Sequence, residues 1–384
     1  MAAPNSSAGS FGHKTETTAG TTVTPDLFLP FLTESWDRSQ PSLESDGIRA
    51  DRLVRDDEES NGANIGVEGG VTMDLPVKGA SSLLTWALGS VNTTGSNPYT
   101  HAWTPGASLG SKTLQFAEPD GSGTKQPKTV AGAVCSSWEI AADEGAHVTG
   151  AFNGIAQRLT IGSRTLADVA TTDTSTTIGS ATGFVQADYG KDVSGTGIPA
   201  GAYITGVASD GLTATISAAA TATGTGVSVV VGKALASPSY SASLSYFKMH
   251  MATLAIGGSA VPLKGFTISG DNKIEARYFG GSKWSAAPTP TGELREYTGT
   301  LNLEYLSQAQ CDRYFNGELF SVSLPIVSGA SSLTFAGYGK FDESLVPMIG
   351  GRGRIMQDAP FHFLGSSDAN ALTVTGVNAD STAV

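Results

Sequence analysis

Residues 69–89, "GGVTMDLPVKGASSLLTWALG", read as a strand halted by Pro76 and followed by an apolar helix. Residues 299–318, "GTLNLEYLSQAQCDRYFNGE", repeat that order 230 positions later. Widening the first stretch to 64–76 gives a period of two. Ile65, Val67, Val71, Met73 and Leu75 point one way, and Asn64, Glu68, Thr72 and Asp74 point the other. Such a strand has one face for a core and one for water. In the following "VKGASSLLTWALGS", Leu83, Leu84, Trp86, Ala87 and Leu88 can cover the sheet as a helix, with Gly89 as its stop signal.

The second stretch behaves alike. In "REYTGTLNLEYL" (295–306), Tyr297, Leu301, Leu303 and Tyr305 lie on one face; Glu296, Thr298, Thr300, Asn302 and Glu304 lie on the other. A slide of 230 residues superimposes Gly69 on Gly299, Val71 on Leu301, Thr72 on Asn302, Met73 on Leu303 and Asp74 on Glu304. Both faces coincide, so a duplicated sheet-plus-helix domain is expected.

Between the copies the composition changes. From Arg164 to about Lys233 the chain is rich in Thr, Ala, Gly and Val, and its period-two runs "AYITGV", "LTATISA" and "VSVVVG" are separated by turn residues. This predicts a small β-sandwich inserted into a larger fold. The expected organisation is an N-terminal arm (1–25), a first domain copy (26–160), the inserted sandwich (161–235), a second copy (236–365) and a C-terminal extension (366–384).

Composition agrees with a mainly β protein: 384 residues, 40% apolar, 15% charged, with 48 glycines. The net charge of −12 argues against a surface built to neutralise phosphates. Cys135 and Cys311 stand 176 positions apart with no C-x-x-C spacing, and are expected as buried free thiols. The N-terminus lacks a basic start followed by an apolar run, and no stretch approaches the ~18 apolar residues of a membrane helix. Synthesis in a cytoplasm and no membrane insertion are the expectations.

Enzyme chemistry needs a constellation, and none is visible. His13, His101, His147, His250 and His362 are scattered, and H-E-x-x-H, G-x-S-x-G and G-x-x-x-x-G-K-[ST] are absent. Neighbouring carboxylates such as Asp143 and Glu144 suit a solvated turn better than glycoside hydrolysis. "GGRGR" (350–354) reads as a tight turn carrying Arg352 and Arg354 to a subunit contact or an acidic neighbour. No catalytic residue, cofactor or metal is expected.

Several pieces in this order resemble the major tail tube proteins of long-tailed bacteriophages: "HKTETTAGTTVTPDLFLPF", "ESDGIRADRLVRD", "ATLAIGGSAV", "ISGDNKIEARYFGG" and "LREYTGTLNLEY". The resemblance covers most of 10–155 and 240–365. It implies a duplicated tail-tube β-sandwich/barrel with flanking helices, decorated by an Ig-like β-sandwich. It further implies a structural virion protein, made in the host bacterial cytoplasm, that polymerises as stacked rings around a channel conducting genomic DNA. Its partners would be further copies of itself, tape measure, tail terminator and tail-tip proteins, and double-stranded DNA passing through without specific binding.

Glu68, Thr72, Asp74, Thr298, Asn302 and Glu304 are then candidates for the channel wall, the alternative being an external polar face. Asp56, Asp57, Glu58, Glu59 and Trp284, in loops between strands, are candidates for contacts between rings, the alternative being ordinary solvated loops. The arm and the C-terminal extension are further candidates. Two copies per chain favour a ring of three subunits with pseudo-sixfold symmetry, a hexamer being the alternative. A carbohydrate-binding adhesin using Tyr189 and Tyr203 of the insert, or a tail-associated polysaccharide-degrading enzyme, are the other functional readings.

Overall fold

The computed structural model describes residues 6–44, 60–120, 122–241, 244–347, 352 and 354–383. The first copy contains β1 (Ser10–Thr15), β2 (Leu27–Leu29), β3 (Thr33–Glu34), β4 (Asp37–Ser39), β5 (Ser42–Glu44), β6 (Ser60–Gly62), β7 (Gly66–Asp74) and α1 (Ser81–Leu88). It continues with β8 (Gly89–Gly95), β9 (Tyr99–Pro105), β10 (Lys112–Pro119), β11 (Lys125–Ala142), β12 (Thr149–Ile155) and β13 (Arg158–Ile161). The insert holds β14 (Arg164–Thr171), β15 (Thr177–Gly179), β16 (Val193–Gly195), β17 (Ile204–Val207), β18 (Thr213–Ile216) and β19 (Gly224–Val231). The second copy comprises β20 (Leu254–Ile256), β21 (Ser259–Val261), β22 (Leu263–Asp271), β23 (Ile274–Arg277), β24 (Ala286–Pro290), β25 (Glu296–Glu304) and α2 (Ala309–Phe315). It ends with β26 (Phe320–Ser328), β27 (Ser331–Phe341), β28 (Met356–Phe363), α3 (Asp368–Ala371) and β29 (Leu372–Asn378).

The duplication is visible in the hydrogen-bond ladders. In the first copy β1 pairs with β2 and β10, β11 with β10, β12 and β13, and β7 with β12 and with β3/β4. The second repeats each pairing: β20 with β21 and β26, β27 with β26, β28 and β29, and β25 with β28 and β22. The hairpin β5–β6 recurs as β23–β24. Strands β7 and β25 are nine residues each and superimpose end to end at the 230-residue slide.

Why these residues form these elements follows from side-chain alternation. Val67, Val71 and Met73 of β7, like Tyr297, Leu301 and Leu303 of β25, are buried on one face. That face continues into one apolar core shared by both copies, while the insert has its own core around Leu166, Val169, Ile178, Phe184, Ile204, Val229 and Val231. Helix α1 buries all its residues except Thr85, and its Trp86 indole donates to the Ala133 carbonyl at 2.9 Å. It ends at Gly89, whose φ of 89° is a left-handed conformation that favours glycine.

Two expectations need correction. The stretch 1–25 is not a free arm from Ser10 onward, because β1 is a sheet strand whose Phe11 is fully buried and stacks on Phe116 at 5.0 Å between ring centroids. Nor is 366–384 an appendage. Strand β29 pairs with β27 on one side and with β9 of the first copy on the other, burying Leu372 and Val374. Cys135 and Cys311 are both buried and unbridged, and burial pushes the Cys135 thiol far up.

The insert is clamped to the tube domains through Arg158. Its guanidinium lies 3.1 Å from Asp192, donates to the Gly20 carbonyl and covers the Tyr203 ring at 3.8 Å. Both partners of the ion pair are largely shielded from water.

Candidate functional site

Six adjacent strands place their polar alternation on one face. Residues directly opposed across a ladder share a face, so a row can be followed from Thr72 through Ala151, Glu139, Ser269 and Thr298 to His362. A neighbouring row runs from Gly70 through Asn153, Ser137 and Asp271 to Glu296. Glu68 and Asp74 lie on that same face of β7, as do Asn302 and Glu304 of β25, because each is an even number of positions from the row. The structure thus gathers all six candidate wall residues on one surface.

That surface is hydroxyl-rich and acidic. Glu68, Asp74, Glu139, Asp271, Glu296, Glu304 and Asp358 supply carboxylates; Thr298 and Ser269 share a hydroxyl hydrogen bond of 2.8 Å. Asn302 Nδ2 donates to Asp358 Oδ1 at 2.7 Å. Two cations near this face are held by its own acids: Lys273 Nζ lies 2.7 Å from Asp271 and 3.5 Å from Glu296, and Arg354 lies 3.5 Å from Glu304; Lys340 stands opposite His362 at the end of the row. His147 Nδ1 is 3.3 Å from Asp74. Burial works against the charge of Asp271, but hydrogen bonds from Lys273 and its ammonium charge outweigh this and hold the carboxyl below its usual range.

Sequence reasoning missed Glu139, Asn153, Ser269 and Asp358. The alternating "SSWEIAA" and "GFTISGD" carried the signal for the first and third. In β11 it is obscured because Pro127–Cys135 is buried on both faces and a bulge between Cys135 and Ser137 resets the phase.

Trp284 is not an exposed loop anchor within the chain. Only 4% of it is accessible. Its ring stacks on Tyr189 of the insert at 5.8 Å, and the Arg38 guanidinium lies 4.7 Å from the ring centroid. Asp56, Asp57, Glu58 and Glu59 lie outside the described residues. Arg354 reaches an acidic neighbour, Glu304, as the "GGRGR" turn suggested.

Among the described residues no group of three or more His, Cys, Asp or Glu is placed to hold a metal, and no helix is long and apolar enough to cross a membrane. No curated protein matches the chain. The family described as phage tail tube protein matches it twice, over residues 6–209 and 199–363. A duplicated, mainly β fold with an uninterrupted polar strand face and matches spanning nearly all of its length places the chain in the phage tail tube protein family, as a structural, self-assembling component of the virion.

Proposed function

We propose that three chains close into a ring, that rings stack into the tail tube, and that the acidic face of β7, β12, β11, β22, β25 and β28 lines the lumen through which genomic DNA leaves. The observation that carries this reading is the continuity of that face across both copies, with hydroxyls and carboxylates on the exposed side and a shared core behind. A wall with free Lys or Arg would bind phosphates and release counterions, adding affinity at each contact. A carboxylate and hydroxyl wall repels the polymer and lets it slide.

Geometry supports the count. Each copy supplies four strand positions to the wall: β3/β4, β7, β12 and the end of β11 in the first, then β22, β25, β28 and the stretch after β27 in the second. Three chains would give twenty-four. At ~4.8 Å between strands and a tilt of ~40°, such a barrel is about 50 Å across between backbones, wide enough for double-stranded DNA. Tape measure, terminator and tail-tip proteins would be its partners at the lumen and tube ends. The insert, held by Arg158 and Trp284, would decorate the outside. Its Tyr189 and Tyr203 are covered by these residues, which disfavours a glycan site built on them.

Electron microscopy of purified protein tests the assembly, and threefold rings or tubes are the expected outcome; a strictly monomeric protein with glycan affinity would sink it. For the lumen, Asp74→Lys with Glu304→Lys should leave tubes intact while slowing DNA release from reconstituted particles. Unchanged release would put that face outside.

A further inference from the structure

We infer that the ring closes by pairing residues Glu34–Ser39 of one chain, antiparallel, with residues Asp342–Pro347 of the next. This rests on the ring reading above. A seam of this kind already joins the two copies inside one chain. There β22 lies against the end of β11, with Ser137 opposite Asp271 and Ala142 opposite Phe266. By the duplication, each chain should own one more edge of each kind.

The first edge follows from the ladders. Strand β7 pairs Thr72 with Thr33 and Gly66 with Ser39, while β25 pairs Asn302 with Gly265 and Glu296 with Asp271. Because β7 and β25 correspond at 230 residues, Thr33–Ser39 corresponds to Gly265–Asp271. Glu34–Ser39 therefore occupies the place of the six β22 residues that form the internal seam. Among the described residues, β3 and β4 have β7 as their only strand partner.

The second edge follows in the same way. The β7–β12 and β25–β28 registers match Asn153 to Pro360. Asn153 lies opposite Ser137, and the Pro360 carbonyl accepts from Asp342 N at 2.9 Å. Ser137–Ala142 is thus matched by Asp342–Pro347. The burial pattern agrees: Ile140 is 0% exposed and its counterpart Leu345 is 3% exposed. The Leu345 carbonyl is held by the Gln357 side chain and by the Cys311 thiol at 2.7 Å, so this segment is fastened beside β28 without being a strand. Its Asp342, Glu343, Ser344 and Val346 are exposed. The two edges close off opposite ends of the run from β3/β4 to β28, so the join is made between chains.

Charge complements the predicted register. Carrying the internal pairing over sets Arg38 opposite Glu343, Asp37 opposite Ser344 and Ser39 opposite Asp342, whose carboxylate also contacts His362. Directly opposed unlike charges favour a ladder and like charges disfavour it. Pro347, which has no N–H, falls at the end of the pairing, where a missing donor costs least. Within the chain the Trp36 and Arg38 N–H groups of this edge donate to the Glu34 and Asp37 carboxylates, at 3.0 and 2.7 Å, contacts that the carbonyls of a neighbouring chain would replace.

The test uses the full chain carrying Asp37→Cys and Ser344→Cys, oxidised after assembly. The native thiols are both buried. The expected product is a covalent trimer on a non-reducing gel, with each single variant remaining monomeric. Glu139→Cys with Ser269→Cys, the internal counterpart, should link within the chain and leave its mass unchanged. Rings that assemble without an interchain link overturn the seam while leaving the ring reading in place; links that close at six chains bear out the seam and overturn the count of three; failure of the wild-type chain to form rings overturns the ring reading itself. If the cysteine chain does not assemble, Arg38→Glu and Glu343→Arg decide. Each alone should raise the critical concentration for assembly by roughly fivefold, and the double exchange should restore it. No rescue means the two residues do not meet.

Discussion

The two tube copies share one ladder but not one cover. Helix α1 is buried almost throughout, whereas α2 buries only Cys311. Between α1 and β10 the first copy adds the hairpin β8–β9, which has no counterpart after α2 and which pairs with β29 of the second copy. Near α2, Leu306, Phe315 and Leu319 stay exposed. What the copies retain is the register of the wall strands; what differs is the outer layer, where each copy meets different neighbours. In the proposed ring these strands would have to match one another all the way round, which would constrain their spacing in a way that the cover is not constrained.

Breaking the brace between the copies should have the largest effect. A chain ending at residue 365 loses β29 and uncovers Leu333 and Phe335 on β27. It should be recovered insoluble, or protease-sensitive with no cooperative thermal transition. Removal of residues 163–232 through a short linker should by contrast leave a folded tube domain, because the insert has its own core.

A milder change at the same brace is Trp103→Ala. Trp103 is fully buried on β9 and its indole donates to Thr85 Oγ1 at 2.8 Å, tying the hairpin to α1. Chemical denaturation should show a loss of about 3–5 kcal/mol. Arg158→Met should cost roughly 3 kcal/mol, mostly by stranding Asp192 against the insert. Its signature is an insert that is cleaved early by protease while the tube domains stay whole.

A further expected effect is a pH slope that originates in the first copy. Lys112 is buried beside His13, donating to Thr15 Oγ1 and Ser82 Oγ at 2.7 and 2.6 Å. Burial brings its pKa down to about 7, against the pull of Asp26, and burial followed by the Lys112 charge holds His13 well below the usual imidazole range. Both folded pKa values are lower than the unfolded ones, so the unfolded chain binds more protons in between. Stability should therefore rise with pH, through the His13 window up to about 6.5 and again from about 7 towards 10. Lys112→Met should flatten the upper slope in melts recorded across that range.

How much of this was legible in sequence depended on whether a strand had one wet face. β7 and β25 do, and their alternation fixed their strand character, their facing and their equivalence. β1 does not: Ser10, Phe11, Gly12 and His13 are all buried, so "SFGHKT" carries no period and resembles a polar arm. The surroundings of Trp284 were not legible for a different reason. An aromatic followed by two prolines in a polar loop suits an interface, and the structure shows one inside the chain, between the β23–β24 hairpin and the insert. Glu139 and Asp358 stayed hidden because the wall is assembled from strands far apart in sequence, and only the ladder registers put them in one row.

Strand β11 is the piece of chain that serves both layers. Its first half pairs with β10 and β13, and its second half with β12 and β22. Its eighteen residues extend for about 60 Å at ~3.3 Å each. Bonded along both flanks, it is loaded in shear, so pulling it out would require many hydrogen bonds to fail together rather than one after another. If this face lines the lumen as proposed, a transient push on it by moving DNA would be carried lengthwise along one continuous backbone into the strands β10 and β13 beyond it.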